Sequence, residues 1–123
     1  MQKKITIIED EELILELLQK KLIQEGYDIS VGRDGEEGLE TLRTMKPDLV
    51  LLDIVMPKKS GFQVMEEMGQ DSELKKIPII VISNSGQPVE LDKAQKLGAK
   101  DWLIKTDFDP HEVVEKVIKL IGK

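Results

Sequence analysis

Leu49-Val50-Leu51-Leu52-Asp53 is an apolar run closed by a carboxylate, and three other stretches repeat its form. Ile5-Thr6-Ile7-Ile8 runs into Glu9-Asp10, Ile79-Ile80-Val81-Ile82 into Ser83, and Trp102-Leu103-Ile104 into Lys105. Continuous β-branched or leucine runs predict strands buried on both faces, as in a parallel sheet covered by helices. Parallel strands bring their C-terminal ends to one edge, where open α/β sheets bind ligands. Three carboxylates, one hydroxyl and one ammonium therefore meet at that edge. Crowded carboxylates need a cation, and an ammonium beside them suits an anion. The endings predict a site for a divalent metal and a phosphoryl group.

Between these runs the pattern turns helical. Leu13, Ile14, Leu17, Leu18 and Leu22 recur at helical spacing, and Gly26 supplies a stop. Ile29 and Val31 alternate with polar neighbours, a modest strand signal. Asp34 and Glu37 have capping-box spacing, as do Ser60 and Gln63. Leu39, Leu42 and Met45 give the second helix its buried face, and Phe62, Val64, Met65 and Met68 give the third its own. Pro88 suits the first turn of a fourth helix that closes at Gly98. Its apolar set is thin: Val89, Leu91, Ala94 and Leu97. Asp109-Pro110-His111-Glu112 opens a fifth helix, striped by Val113, Val114, Val117, Ile118 and Ile121.

The order is (βα)5 in one α/β domain: a doubly wound, three-layer sandwich with right-handed crossovers. By analogy with flavodoxin-like folds, the five-stranded parallel sheet takes the order 2-1-3-4-5. Strands one and three are then neighbours, with Glu9, Asp10 and Asp53 side by side. The 123 residues fit a single core. A formal charge of −6 argues against direct contact with nucleic acid, which needs a basic stripe. Without cysteine, disulfides, thiolate catalysis and zinc–sulfur sites are excluded. The longest apolar run is far short of the ~18 residues of a membrane span, and Met1-Gln2-Lys3-Lys4 leads straight into a strand rather than a signal peptide. These features predict a soluble, cytoplasmic protein.

Over essentially its whole length the chain resembles a response-regulator receiver domain (CheY-like), the phosphoacceptor half of two-component signalling. The matching pieces are Ile8-Glu9-Asp10, Asp53 with Met56-Pro57 and Ser60-Gly61, Ser83, Gly98-Ala99, and Lys105. The resemblance implies one receiver domain over residues 1–123, with no output domain in this chain. It implies that Asp53 accepts a phosphoryl group from a histidine kinase or histidine phosphotransfer protein. Glu9, Asp10, Asp53 and the Val55 backbone carbonyl would hold Mg2+ or Mn2+, Ser83 would bond a phosphoryl oxygen, and Lys105 would pair with the carboxylate or phosphate. Such a domain is a switch rather than an enzyme, assisting only its own phosphoryl transfer and loss. Its downstream protein partner would sit on the face of helix four, strand five and helix five.

Single residues also have plainer readings. Alone, Asp10 is an N-cap, Ser83 a strand-end turn residue and Lys105 a surface lysine; their company turns all three toward the site. Trp102 reads equally as a half-buried strand aromatic or as the family's switch aromatic. His111, in a helix first turn, reads as exposed. Departures from the family pattern fall at Val55 and Ser85, which flank the site, at Asn84, where a small residue is usual, and at Thr106, where proline is common. Valine cannot orient an attacking water, so Val55 predicts slow phosphoryl loss. The alternatives are a degenerate receiver that binds partners without phosphorylation, an aspartyl-phosphate hydrolase and a flavin carrier. Val55 stands where such hydrolases carry a second aspartate, and no phosphate-cradling loop follows strand one.

Overall fold

A computed structural model of the chain describes residues 2–84, 86–107 and 109–123. Strands and helices alternate as β1 (Lys4–Ile8), α1 (Glu12–Gln24), β2 (Asp28–Gly32), α2 (Gly35–Met45), β3 (Leu49–Asp53), α3 (Gly61–Gly69), β4 (Ile79–Ser83), α4 (Pro88–Lys96), β5 (Asp101–Ile104) and α5 (Pro110–Ile121). A 3-10 turn at Leu74–Lys76, which carries no period of its own, precedes β4. The strands form one parallel sheet in the order β2-β1-β3-β4-β5, as expected. No helix among the described residues is long and apolar enough to cross a membrane.

Side chains alternate across a strand, so each apolar run feeds two cores, one on each face of the sheet, rather than the single core expected. Ile5, Ile7, Leu49, Leu51, Ile80, Ile82 and Leu103 face α1 and α5 on one side. Ile8, Val50, Leu52, Ile79 and Val81 face α2, α3 and Ala94 of α4 on the other. β3 and β4 are buried at every residue, which is why they read as unbroken runs.

The expected face of α1 needs correction. Leu15, Leu18 and Leu22 point into the core, whereas Leu13 is 83% exposed and Leu17 43%. Leucine or isoleucine occupies five of the seven positions from 12 to 18, so periodicity alone does not choose between faces. α4 is as thinly anchored as its sequence suggests: only Ala94 is buried, and Val89 lies open at 82%. The caps form as expected at Asp34, which accepts from the Glu37 N–H, and at Ser60, where the reciprocal Gln63 bond completes a capping box.

Candidate functional site

The sheet register brings the candidate residues level. Ile8 pairs with Leu52, Asp53 with Ile82 and Ser83 with Ile104, so Glu9, Asp53, Ser83 and Lys105 gather at the C-terminal edge between β1 and β5. The strand order reverses between β1 and β3, the usual place for a ligand crevice in such sheets.

Asp53 is buried at the centre, and Lys105 joins it to Glu9. The Lys105 Nζ donates to Asp53 Oδ2 at 2.9 Å and to Glu9 Oε2 at 3.1 Å. It also lies 3.3 Å from Glu11 Oε1. The Val55 N–H donates to Asp53 Oδ1 at 3.2 Å. Glu9 Oε2 accepts the Glu11 N–H at 3.0 Å, but Glu9 Oε1 is buried without a hydrogen-bond partner. A buried carboxylate oxygen without a donor is costly, and a cation is the natural remedy.

The residues present fit a hard divalent ion. One carboxylate oxygen each from Glu9, Asp10 and Asp53 lies within 4.8 Å of the others. Asp10 is exposed and the other two are buried, which leaves one open side for water. Oxygen donors of this kind, with waters retained, suit Mg2+ or Mn2+.

Electrostatics follow from crowding. Burial, then the neighbouring Glu9 carboxylate, pushes the Asp53 pKa up to about 8, against the pull of Lys105. Burial draws the Lys105 ammonium down, but its bond to Asp53 and the two carboxylate charges outweigh this and hold its pKa above the ordinary lysine value. The lysine therefore stays charged, while the two acids compete for one cation.

Local structure fixes the loop that follows Asp53. The Gly61 N–H donates to the Ile54 carbonyl at 2.7 Å, drawing the start of α3 against the end of β3. A Cβ on Gly61 would lie 2.3 Å from the Asp53 carbonyl oxygen, so only glycine permits the approach. Val55 sits at the mouth of the site, 56% exposed.

Ser83 is fully buried, and its hydroxyl is committed elsewhere. It donates to Glu90 Oε1 at 2.5 Å and accepts the Gly86 N–H at 3.0 Å. Glu90, in the first turn of α4, and Glu11 are not among the residues to which the sequence points. Glu11 follows Asp10 directly, whereas Glu90 comes seven residues after Ser83. Asn84 lines a cleft of about 400 Å3 with Phe62, Gln87, Val89, Glu90 and Lys93. Ser85 lies outside the described residues. No peptide bond among the described residues is cis, so Lys105–Thr106 is trans.

Trp102 lies on β5, 38% exposed, with the Lys116 Nζ 5.9 Å from its ring centroid. Lys116 also donates to the Trp102 carbonyl at 2.6 Å and to Asp101 at 2.9 Å, tying α5 to β5. Trp102 is thus apart from the carboxylates, on the face made by α4, β5 and α5. His111 is exposed, as expected.

The chain is similar to known proteins in both sequence and fold. The response regulator receiver domain family matches residues 5–118. The alkaline phosphatase synthesis transcriptional regulatory protein PhoP of Bacillus subtilis is 38% identical over 123 residues, all of this chain and 50% of that protein. The chain thus spans about half the length of the curated relatives it matches. Among solved structures, the phosphorylated cyanobacterial phytochrome response regulator RcpA is 28% identical with a TM-score of 0.83, over 97% of this chain and 93% of its own. The Mn(2+)-bound form of response regulator Rcp1 is 26% identical with the same score of 0.83, over 98% of this chain and 96% of its own.

Proposed function

Since the chain belongs to the response regulator receiver domain family of two-component signalling, we propose that it is a phosphoacceptor switch in which Asp53 takes a phosphoryl group from a histidine kinase or histidine phosphotransfer protein. The observation that carries this reading is a buried Asp53 held by Lys105 beside the partnerless oxygen of Glu9. An Asp53 oxygen attacks phosphorus; the donor's P–N bond breaks as the new P–O bond forms, and the imidazole leaves. The carboxylate is a ready nucleophile once ionised, needing no base but requiring its charge and that of the phosphoryl group to be offset. Lys105 offsets one charge from a fixed position, and the Val55 N–H holds the other Asp53 oxygen. Glu9, Asp10, Asp53 and the Val55 carbonyl would hold Mg2+ or Mn2+, which supplies the remaining positive charge. The Mn2+ of Rcp1 and the phosphorylated state of RcpA support this assignment by likeness.

The test is intact mass after incubation with acetyl phosphate. One phosphoryl group is expected with Mg2+ and none with EDTA or in Asp53→Asn. An unmodified native chain in Mg2+ would point instead to a degenerate receiver that binds partners without phosphorylation.

Val55 bears on lifetime. An apolar side chain at the open mouth of the site cannot align water for attack on the phosphoryl-aspartate. Val55→Asn is expected to speed phosphate loss about fivefold, corresponding to about 1 kcal/mol of barrier. A decay assay that finds loss unchanged or slower would refute water orientation as the cause.

Output is assigned to the α4–β5–α5 face and a protein partner that binds there. Helix α4 follows Ser83 and buries a single side chain, so two arrangements close in energy are available to it. Trp102 fluorescence should change on Mg2+-dependent phosphorylation of the native chain but not of Ser83→Ala. Equal responses would mean that Ser83 does not carry the signal. PhoP is named a transcriptional regulator, and the chain matches half of it. In a longer protein of that plan DNA would be met by the other half, so the absence of direct nucleic-acid contact is assigned to this acidic domain alone. The domain is assigned to the cytoplasm, where the phosphodonors of two-component signalling act.

A further inference from the structure

We infer that Glu90 is a latch on the switch hydroxyl: it holds Ser83 away from the phosphoryl position and is released when the phosphoryl group claims that hydroxyl. This rests on the reading of Asp53 as phosphoacceptor and Ser83 as the residue that bonds a phosphoryl oxygen. A serine hydroxyl carries one proton to donate. Here that proton is given to Glu90 Oε1 at 2.5 Å, a charge-assisted bond from a fully buried oxygen, while the Gly86 N–H occupies the acceptor side at 3.0 Å. Phosphoryl oxygens are acceptors only, so a group on Asp53 and the carboxylate of Glu90 compete for the same proton. Binding one means losing the other.

The location of Glu90 makes this competition mechanical. It sits in the first turn of α4, seven residues beyond Ser83, on a helix that buries only Ala94. The side chain borders a cleft of about 400 Å3 shared with Phe62 and Lys93. Lys93 is three residues further along the same helix and holds its Nζ 4.5 Å from the Phe62 ring centroid. Residues three apart on a helix are neighbours. A released Glu90 therefore has Lys93 as its next partner, and moving from Ser83 to Lys93 turns the first turn of α4 toward the cleft. Glu90 is a positioning residue: it acts through Ser83 and touches no reacting atom.

The test is the affinity for beryllofluoride, a phosphoryl analogue, measured in Mg2+ by 19F NMR of the bound species. Glu90→Gln keeps the shape of the side chain and removes its charge. It should bind beryllofluoride about fivefold more tightly than the native chain, because the amide oxygen that remains accepts only a neutral hydrogen bond from Ser83. In a Ser83→Ala background the same change should do nothing, because no hydroxyl remains to be restrained. Urea midpoints of the four proteins identify any general loss of stability, which would act in both backgrounds alike. Unchanged or weaker binding by Glu90→Gln would overturn the latch, as would an equal gain in both backgrounds. If the native chain fails to bind beryllofluoride and takes no phosphate from acetyl phosphate, the phosphoacceptor reading falls, and the latch with it. Binding that ignores Glu90 overturns the latch alone.

Discussion

Asp53→Asn is expected to make the metal-free protein more stable than the native chain, by about 3 kcal/mol at pH 8 and by little at pH 4. The cause is the repulsion built into the site. The Asp53 pKa is raised from 3.8 to about 8 by burial and then by Glu9. Between those values the folded protein binds more protons than the unfolded chain, so its stability falls as pH rises through this window and levels off above it. Holding a carboxylate ionised against such a rise costs the folded state about 5 kcal/mol before solvent screening reduces it. The variant recovers less, because Lys105 then keeps only Glu9 as a buried partner. Urea unfolding in EDTA at pH 4, 6 and 8 checks this. A native chain as stable as Asp53→Asn across the range, or more so, would show that Lys105 already balances the cluster.

Divalent metal should narrow that difference. A ligand that binds only the folded state stabilises it by about 2.7 kcal/mol at one hundred times its dissociation constant. Mg2+ at that level is expected to raise the native chain by this amount, and the same concentration should raise Asp53→Asn by less than about 1 kcal/mol, since one of its three anionic donors is gone. Mg2+ and Mn2+ titrations followed by thermal unfolding give the comparison. Equal stabilisation of both proteins would place the ion away from Asp53. The orphaned oxygen of Glu9 is the physical reason to expect it there.

The parts of this structure that are readable in sequence are those where chemistry and periodicity agree. β3 and β4 stand out because every residue is buried, and their terminal Asp53 and Ser83 mark the site because parallel strands end together. Caps at Asp34 and Ser60 are visible because a side-chain acceptor is needed at a fixed spacing. The facing of α1 is not, since its leucines exceed the width of one buried stripe and the sheet selects Leu15 over Leu13 and Leu17.

At the site, residue types are legible and their partners are less so. Glu9, Asp10, Asp53 and Lys105 converge as their strand positions require. Nothing in the order of residues signals that Ser83 bonds Glu90, because the partner lies seven residues on, in a separate helix. Gly61 belongs to a recognisable pattern, but its reason is steric: the Asp53 carbonyl occupies the space of a Cβ.

The central claim is that Asp53 itself bears the phosphoryl group, and borohydride trapping tests it most directly. An acyl phosphate is reduced by borohydride to the alcohol, which converts the acceptor aspartate to homoserine. After acetyl phosphate and Mg2+, peptide mass spectrometry should find homoserine at position 53 and aspartate at positions 10 and 48. Phosphate recovered on a serine or on His111, with Asp53 unreduced, would contradict the account.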